Sequence, residues 1–415
     1  MNYFNVILRM LKWSISSTAI GCFLAAIFCL INKSGKKFTF GDAVSALLLV
    51  VVSSFRYDVG SDYFRYMESA AFASRKFADL HKLFNASTLS QYNFEVGYET
   101  ISVLSSRVFH SKFAIFWMVS ILLYVPLVCY CRKCTDNAKI ALSFYILFGF
   151  WGLSLNILKQ ALAMMFILMA YEALKNHRYI LFVCVTIVAS SFHITAVVAA
   201  LCILVVHLKL FHKLLMPTKR NLYFMVAVGV ALRLMTAVFA SVLRHLGVFT
   251  QYLFYLEAGN GDSTSRNFIL YGAFLETVLV FGILYSAIQN LDRLRIINRN
   301  IEMYISIIMV GIPFSIIGVS KTLWLANRFA KFFFLFLLVL VPAMASAQRV
   351  PKGIPKSVPD KIAALLFKPC LVNTHFSLSL SVFSIVMIGW HAMYSVLMMD
   401  NNRFNLQTYL FGIPK

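Results

Sequence analysis

The chain is built from long apolar runs separated by short, mostly basic gaps. The runs are Ile15–Ile31, Phe38–Phe55, Phe113–Cys131, Ile140–Leu158, Ala161–Leu174, Tyr179–Ser191, Ile194–Leu208, Leu222–Val242, Phe268–Ile288, Ile301–Val319, Leu323–Ala347 and Phe376–Met399. A spanning helix takes roughly 20 apolar residues, so this spacing predicts an all-α, polytopic membrane protein of about 12 transmembrane helices, with residues 1–415 forming one domain. The runs on either side of His193 read as two spans meeting in a tight turn. The long polar stretch, 56–112, carries aromatic and aliphatic residues at helical spacing over Tyr63–Phe84 and Phe94–Phe109, the pattern of amphipathic helices lying at an interface. The first run follows Arg9 and Lys12, but no small-x-small cleavage pattern precedes Lys33 to Lys37, so it is expected to be a retained helix and not a signal peptide.

Composition excludes an ordinary soluble domain. Hydrophobic residues make up 60% of the chain and charged residues 13%, with a mean hydropathy of +0.78, where a soluble surface needs about a quarter charged. The formal charge of +22, from 38 Lys and Arg against 16 Asp and Glu, would fit nucleic acid as well as a membrane surface, so its position along the chain decides. Strict alternation from Lys33–Lys37 puts every basic cluster on one side: Arg132/Lys133/Lys139, Lys175/Arg178, Lys209/Lys213/Lys219/Arg220, Arg293/Arg295/Arg299 and Arg349/Lys352/Lys356/Lys361/Lys368. Those six loops hold 20 of the basic residues against Asp136, Asp292 and Asp360, which is the positive-inside pattern of cytoplasmic loops. Most of the excess is therefore topology, and nucleic acid is not an expected partner. The alternation also places both termini outside, against which the N-terminal Arg9 and Lys12 argue.

The opposite face collects 56–112, the turns at Lys159 and His193, Gly247–Asn267, Lys321–Arg328 and the tail after Asp400. Ionisable groups at membrane depth cost several kcal/mol unless paired or facing a wet cavity, so those at helix ends on this face are the candidate site residues. The densest set is Arg56-Tyr57-Asp58-Val59-Gly60-Ser61-Asp62-Tyr63-Phe64-Arg65-Tyr66. It reads either as a snorkelling arginine followed by a helix N-cap or as part of a site. Glu95-Val-Gly97-Tyr98-Glu99 follows, then Asn156, Lys159 and Gln160 at a spacing that shares one helix face, then Ser190-Ser191-Phe192-His193, and finally Arg266 and Arg328. Glu95 serves equally as a helix N-terminal charge, and His193 as a hydrogen-bonded turn residue. Arg233, Arg244 and Glu276 lie deeper in the apolar runs, where one reading is that Arg233 and Glu276 simply pair with each other. Eight cysteines lie in or beside apolar segments without the paired spacing of a zinc site, so no metal is expected. Phosphate loops, HExxH and GxSxG are absent from the sequence. Cations gathered at one face suit phosphate or pyrophosphate, which guanidinium forks bind bidentately.

Taken in order, these elements resemble the EpsG-type and Wzy-type bacterial polysaccharide polymerases. Arg56-x-x-Val59-Gly60-x-Asp62-Tyr63-x-x-Tyr66 is similar to that family's R-x-x-V-G-T-D-Y-x-x-Y element. It is followed by an E-x-G-Y element (Glu95 to Tyr98), a basic-Gln-Ala helix start (Lys159-Gln160-Ala161), a Ser-x-Phe-His turn ending at His193, and a late arginine before aromatics (Arg328, Phe329, Phe332 to Phe334). The likeness runs from about residue 38 to 350. Two positions depart: Ser61 replaces the commoner threonine, and Lys159 replaces arginine, keeping the charge but losing the bidentate fork.

The resemblance implies a GT-C-like enzyme of the bacterial inner membrane, active on the periplasmic face and needing no cofactor. It would transfer a growing glycan from undecaprenyl pyrophosphate to a hydroxyl of an incoming lipid-linked repeat unit, making O-antigen, capsule or exopolysaccharide. Lipid-linked glycan donor and acceptor, membrane lipid and a chain-length regulator are the implied partners. Arg56 and Arg328, with Arg266 and Lys159, are assigned to the pyrophosphate. Asp62 and His193 compete as the base, histidine being the side chain that ordinarily titrates near neutrality. Tyr63, Glu95, Tyr98 and Gln160 are assigned to sugar hydroxyls or to orienting the base. The rival expectations are a flippase or other secondary transporter, and an O-antigen ligase.

Overall fold

The structure is a computed structural model that describes residues 19–56, 62–64, 66–68, 96–111, 113–246, 263–319, 324–347 and 386–390, with side chains undescribed at 106, 236–246, 263–270 and 324. Among these residues it is helical throughout, with no strand. The helices are α1 (Ala19–Ile31), α2 (Phe40–Ser54), α3 (Val96–Phe109), α4 (Ala114–Cys134), α5 (Ala138–Leu147), α6 (Phe150–Asn156), α7 (Leu158–Lys175), α8 (Tyr179–Phe192), α9 (Thr195–His207), α10 (Lys219–Leu246), α11 (Ser263–Gln289), α12 (Leu291–Ile297), α13 (Ile301–Gly318), α14 (Trp324–Phe334) and α15 (Leu337–Ala347). A single turn, His212–Leu215, precedes α10.

Among the described residues, three helical stretches are long and apolar enough to cross a membrane: α4, the Tyr271–Gln289 part of α11, and α13. Two bent pairs, α5 with α6 and α14 with α15, raise that number to five, and α1, α2, α8 and α9 are shorter apolar helices. The bends subdivide two runs that read as continuous in sequence. Gly149 breaks the first: its φ of 99° is left-handed, and there α5 and α6 part at 56°. The second break falls at Leu335 and Phe336, where α14 and α15 meet at 48°.

The middle of the bundle is closed by small residues. Ala161, Ala163, Ala170 and Ala173 of α7, Ala189 of α8, and Ala196, Ala199 and Ala200 of α9 are all buried. Small side chains let helix backbones approach closely, which is how helices associate where lipid is as apolar as the helix surface. Around them lies an aromatic core that includes Tyr171, Tyr304 and Phe336, with ring centroids 5.2 to 6.1 Å apart.

Polar contacts divide the bundle into two ends. At one end Arg132 reaches Asp42 from Nη2 at 2.6 Å and from Nε at 3.0 Å, while its Nη1 donates to the carbonyls of Lys33 and Gly35. At the same end Asn137 bonds Ser34 and Ser346, and Lys175 donates to Glu172 at 2.6 Å and to the Tyr304 hydroxyl at 3.2 Å. Among the described residues, the basic gaps that carry Lys33, Arg132 and Lys175 meet here. Arg132 is only 2% exposed; its charge closes a structural clamp on the α1–α2 turn. The other end carries the candidate site.

Candidate functional site

Arg56 leaves the C-terminus of α2 and turns inward. It is 3% exposed, its guanidinium lies 4.7 Å from the centroid of Phe116, and its Nη1 donates to the carbonyl of Leu155 at 2.8 Å. That carbonyl belongs to the last turn of α6, where a cation is favoured by the helix dipole and by carbonyls no longer used within the helix. The sequence therefore puts an arginine where a broken span needs its end satisfied. Tyr63 stacks on the other partner of this guanidinium, its ring 4.7 Å from Phe116 and fully buried.

Asn156, Lys159 and Gln160 do not share one helix. Asn156 ends α6, Ile157 leaves helical geometry (φ −109°, ψ 54°), and α7 begins at Leu158. The break aims Lys159 and Gln160 separately from the preceding turn. Lys159 sits 4.7 Å over the Tyr98 ring, a cation–π contact. Gln160 is buried and gives its Nε2 hydrogen to the main-chain carbonyl of Arg328 at 2.6 Å.

The E-x-G-Y and Ser-x-Phe-His elements meet through a glycine. A Cβ on Gly97 would lie 3.2 Å from the carbonyl carbon of Ser191, and nearer still to its hydroxyl, so only glycine permits this approach of α3 to the end of α8. The Phe192 ring stacks on Phe166 of α7 at 5.5 Å. His193 itself caps α8 in extended geometry, donating its N–H to the Ala189 carbonyl, and is half-buried.

Tyr66 ties the groups together. The Tyr98 hydroxyl donates to the Tyr66 carbonyl at 3.4 Å, and the two rings are 5.7 Å apart. Burial pushes the Tyr66 phenol well above its ordinary range, with Tyr98 and Asp62 adding to the rise and Arg328 and Arg56 opposing it. Asp62, Arg56, Arg328 and Tyr98 thus all lie within electrostatic reach of one phenol, although they come from three separate stretches of chain. Asp62 is half-buried and its carbonyl accepts the Tyr66 N–H at 2.9 Å.

Glu95 lies outside the described residues. Arg266 is in the first turn of α11, and its side chain is likewise outside them. The Arg233–Glu276 pairing that the sequence allows is not the one found. Glu276 pairs with Lys331 of α14, and Arg233 donates from Nη1 to the carbonyl of Ile317 at 3.3 Å. Two contacts of this region are not foreseen in the sequence. The Gln160 bond to a main-chain atom has no signature there, whereas Lys331, three residues after Arg328 in an aromatic run, is an intramembrane charge that could have flagged its pair. Among the described residues no three of His, Cys, Asp and Glu lie together as metal ligands.

Helices apolar enough to cross a membrane, together with a match to the EpsG family, mark a membrane protein of the polysaccharide-polymerase type. The chain belongs to the EpsG family, whose model matches residues 42–354. No curated protein and no solved structure matches it.

Proposed function

We propose that the protein is a glycosyltransferase that polymerises undecaprenyl-pyrophosphate-linked repeat units into O-antigen, capsular or exopolysaccharide chains. The observation that carries this reading is the EpsG family match, supported by the contacts that join its motifs: Gln160 on the Arg328 carbonyl, Lys159 over the Tyr98 ring and the Tyr98 hydroxyl on the Tyr66 carbonyl. In this reading the bundle has about twelve spans in a GT-C-like arrangement, and its active face is the periplasmic side of the inner membrane.

The reaction follows from the chemistry of the groups present. An acceptor hydroxyl oxygen attacks the anomeric carbon of the donor, the bond from that carbon to the pyrophosphate oxygen breaks, and the electron pair leaves with the lipid pyrophosphate. Cations fixed where that charge develops lower the barrier, the more so in a site shielded from water. Arg328, Lys159 and Arg266 are assigned to the departing pyrophosphate, and Arg56 contributes field to it while holding the end of α6. Asp62 or His193 takes the hydroxyl proton. Tyr63, Glu95 and Tyr98 line or orient the sugar site. Gln160, whose amide is engaged by the Arg328 carbonyl, acts by positioning that arginine.

A deletion strain tests the reading. Loss of the polysaccharide ladder, with single lipid-linked repeats still exposed outside, is expected. Repeats retained on the cytoplasmic side would indicate a flippase, and polymer that is made but never joined to lipid A core would indicate a ligase.

A further inference from the structure

Lys331 and Glu276 form an ion pair between α14 and α11 within the apolar bundle, their side chains 7% and 4% exposed. Such a pair is a weak source of stability, because desolvating both charges offsets their attraction, and apolar residues of similar volume do as well or better. Ionisable residues at this depth instead mark function. Lys331 lies three residues after Arg328, so the two share a face of α14.

α14 needs lateral anchoring. It is 11 residues long, and the 48° bend before α15 deprives it of support from a continuous axis. Its main chain is held at Arg328 by Gln160 of α7, and one turn further along by the Lys331–Glu276 pair. Beside it, α13 approaches closely: a Cβ on Gly318 would lie 2.7 Å from Asn327 Cα. Thr277, next to Glu276, bonds Ser315 of α13 at 2.6 Å, which fixes α11 to the same neighbour.

We infer that Glu276 and Lys331 are positioning residues that set the rotation of α14 and so aim the Arg328 guanidinium at the anionic leaving group. This rests on the proposed role of Arg328. The test replaces both residues by leucine (E276L with K331L) in the full-length protein, with K331R as the conservative variant. The leucine pair is expected to accumulate and to melt in detergent at or above the wild-type temperature. Its turnover of purified lipid-linked repeats should nonetheless fall about a hundredfold in kcat, the scale of a misplaced group, with a smaller change in KM. Inorganic pyrophosphate, measured by calorimetry, should bind at least about tenfold more weakly. K331R should keep turnover within about threefold of wild type.

Unchanged turnover or unchanged pyrophosphate affinity in the leucine pair would overturn the inference. So would a leucine pair that melts lower or fails to accumulate, since the ion pair would then serve stability, and so would a K331R loss as large as the leucine pair's. Wild-type protein that binds pyrophosphate yet forms no polymer would overturn the polymerase reading and leave the affinity comparison standing.

Discussion

Gln160 and Arg328 are 168 residues apart and are joined by one hydrogen bond, from the glutamine amide to the arginine's own main-chain carbonyl at 2.6 Å. The bond places the start of α7 against α14 at the residue that carries the late arginine of the motif order. Replacing Gln160 by Met keeps the approximate size, removes the donor and adds no charge. The expected stability loss is about 1–3 kcal/mol for the carbonyl left unmet, seen as a drop in detergent melting temperature, with a disproportionate fall in polymer yield of about tenfold or more. Equal fractional losses in stability and yield would make Gln160 a packing residue alone.

Gly97 sits where a side chain would run into Ser191. Gly97→Ala is expected to cost about 1–3 kcal/mol by overpacking and to lower the amount of protein in the membrane. Because the nearest obstacle is the serine hydroxyl, adding Ser191→Ala should recover part of that loss. Quantitative immunoblots of membrane fractions read both effects.

Arg132 makes contacts to Asp42, Lys33 and Gly35 that a single ammonium cannot reproduce. Arg132→Leu leaves Asp42 buried and uncompensated, at a cost of about 3–5 kcal/mol, so little protein should reach the membrane. Arg132→Lys should accumulate to an intermediate level. Wild-type abundance of Arg132→Leu would show that the clamp is dispensable.

Arg56 combines two duties, and its variants should separate them. Arg56→Ala removes the donor to Leu155 and leaves that carbonyl unmet, costing about 1–3 kcal/mol, and it also removes a charge near Tyr66. Arg56→Lys restores the charge. Protein abundance is expected to recover more than polymer length does in the lysine variant, as read by blot and by polysaccharide gel of the same cells.

Much of the architecture is legible in the sequence because the bilayer imposes it. Apolar runs of helical length correspond to helices such as α4 and α13, and the basic residues Arg132 and Lys175 of two of the gaps are anchored at one end of the bundle. The breaks at Gly149 and at Leu335–Phe336 leave no comparable trace, because apolar composition continues across them. In the candidate site the motifs are legible as motifs, but that Gly97 meets Ser191 and Gln160 meets Arg328 is seen only in the fold. Individual partnerships do not follow from spacing. Glu276 pairs with Lys331 and not with Arg233, because partner choice depends on which faces the tertiary packing brings together.

The most direct measurement is polymer formation by the purified protein in lipid, supplied only with undecaprenyl-pyrophosphate-linked repeat units, comparing wild type with Asp62→Asn, His193→Ala and Arg328→Ala. The account predicts a ladder of polymer with release of undecaprenyl pyrophosphate for wild type. Arg328→Ala should slow it by about 10²–10³-fold, and one of the Asp62 and His193 variants should abolish it. A wild-type protein that forms no ladder from those repeats, or an Arg328→Ala variant that polymerises at the wild-type rate, would contradict it.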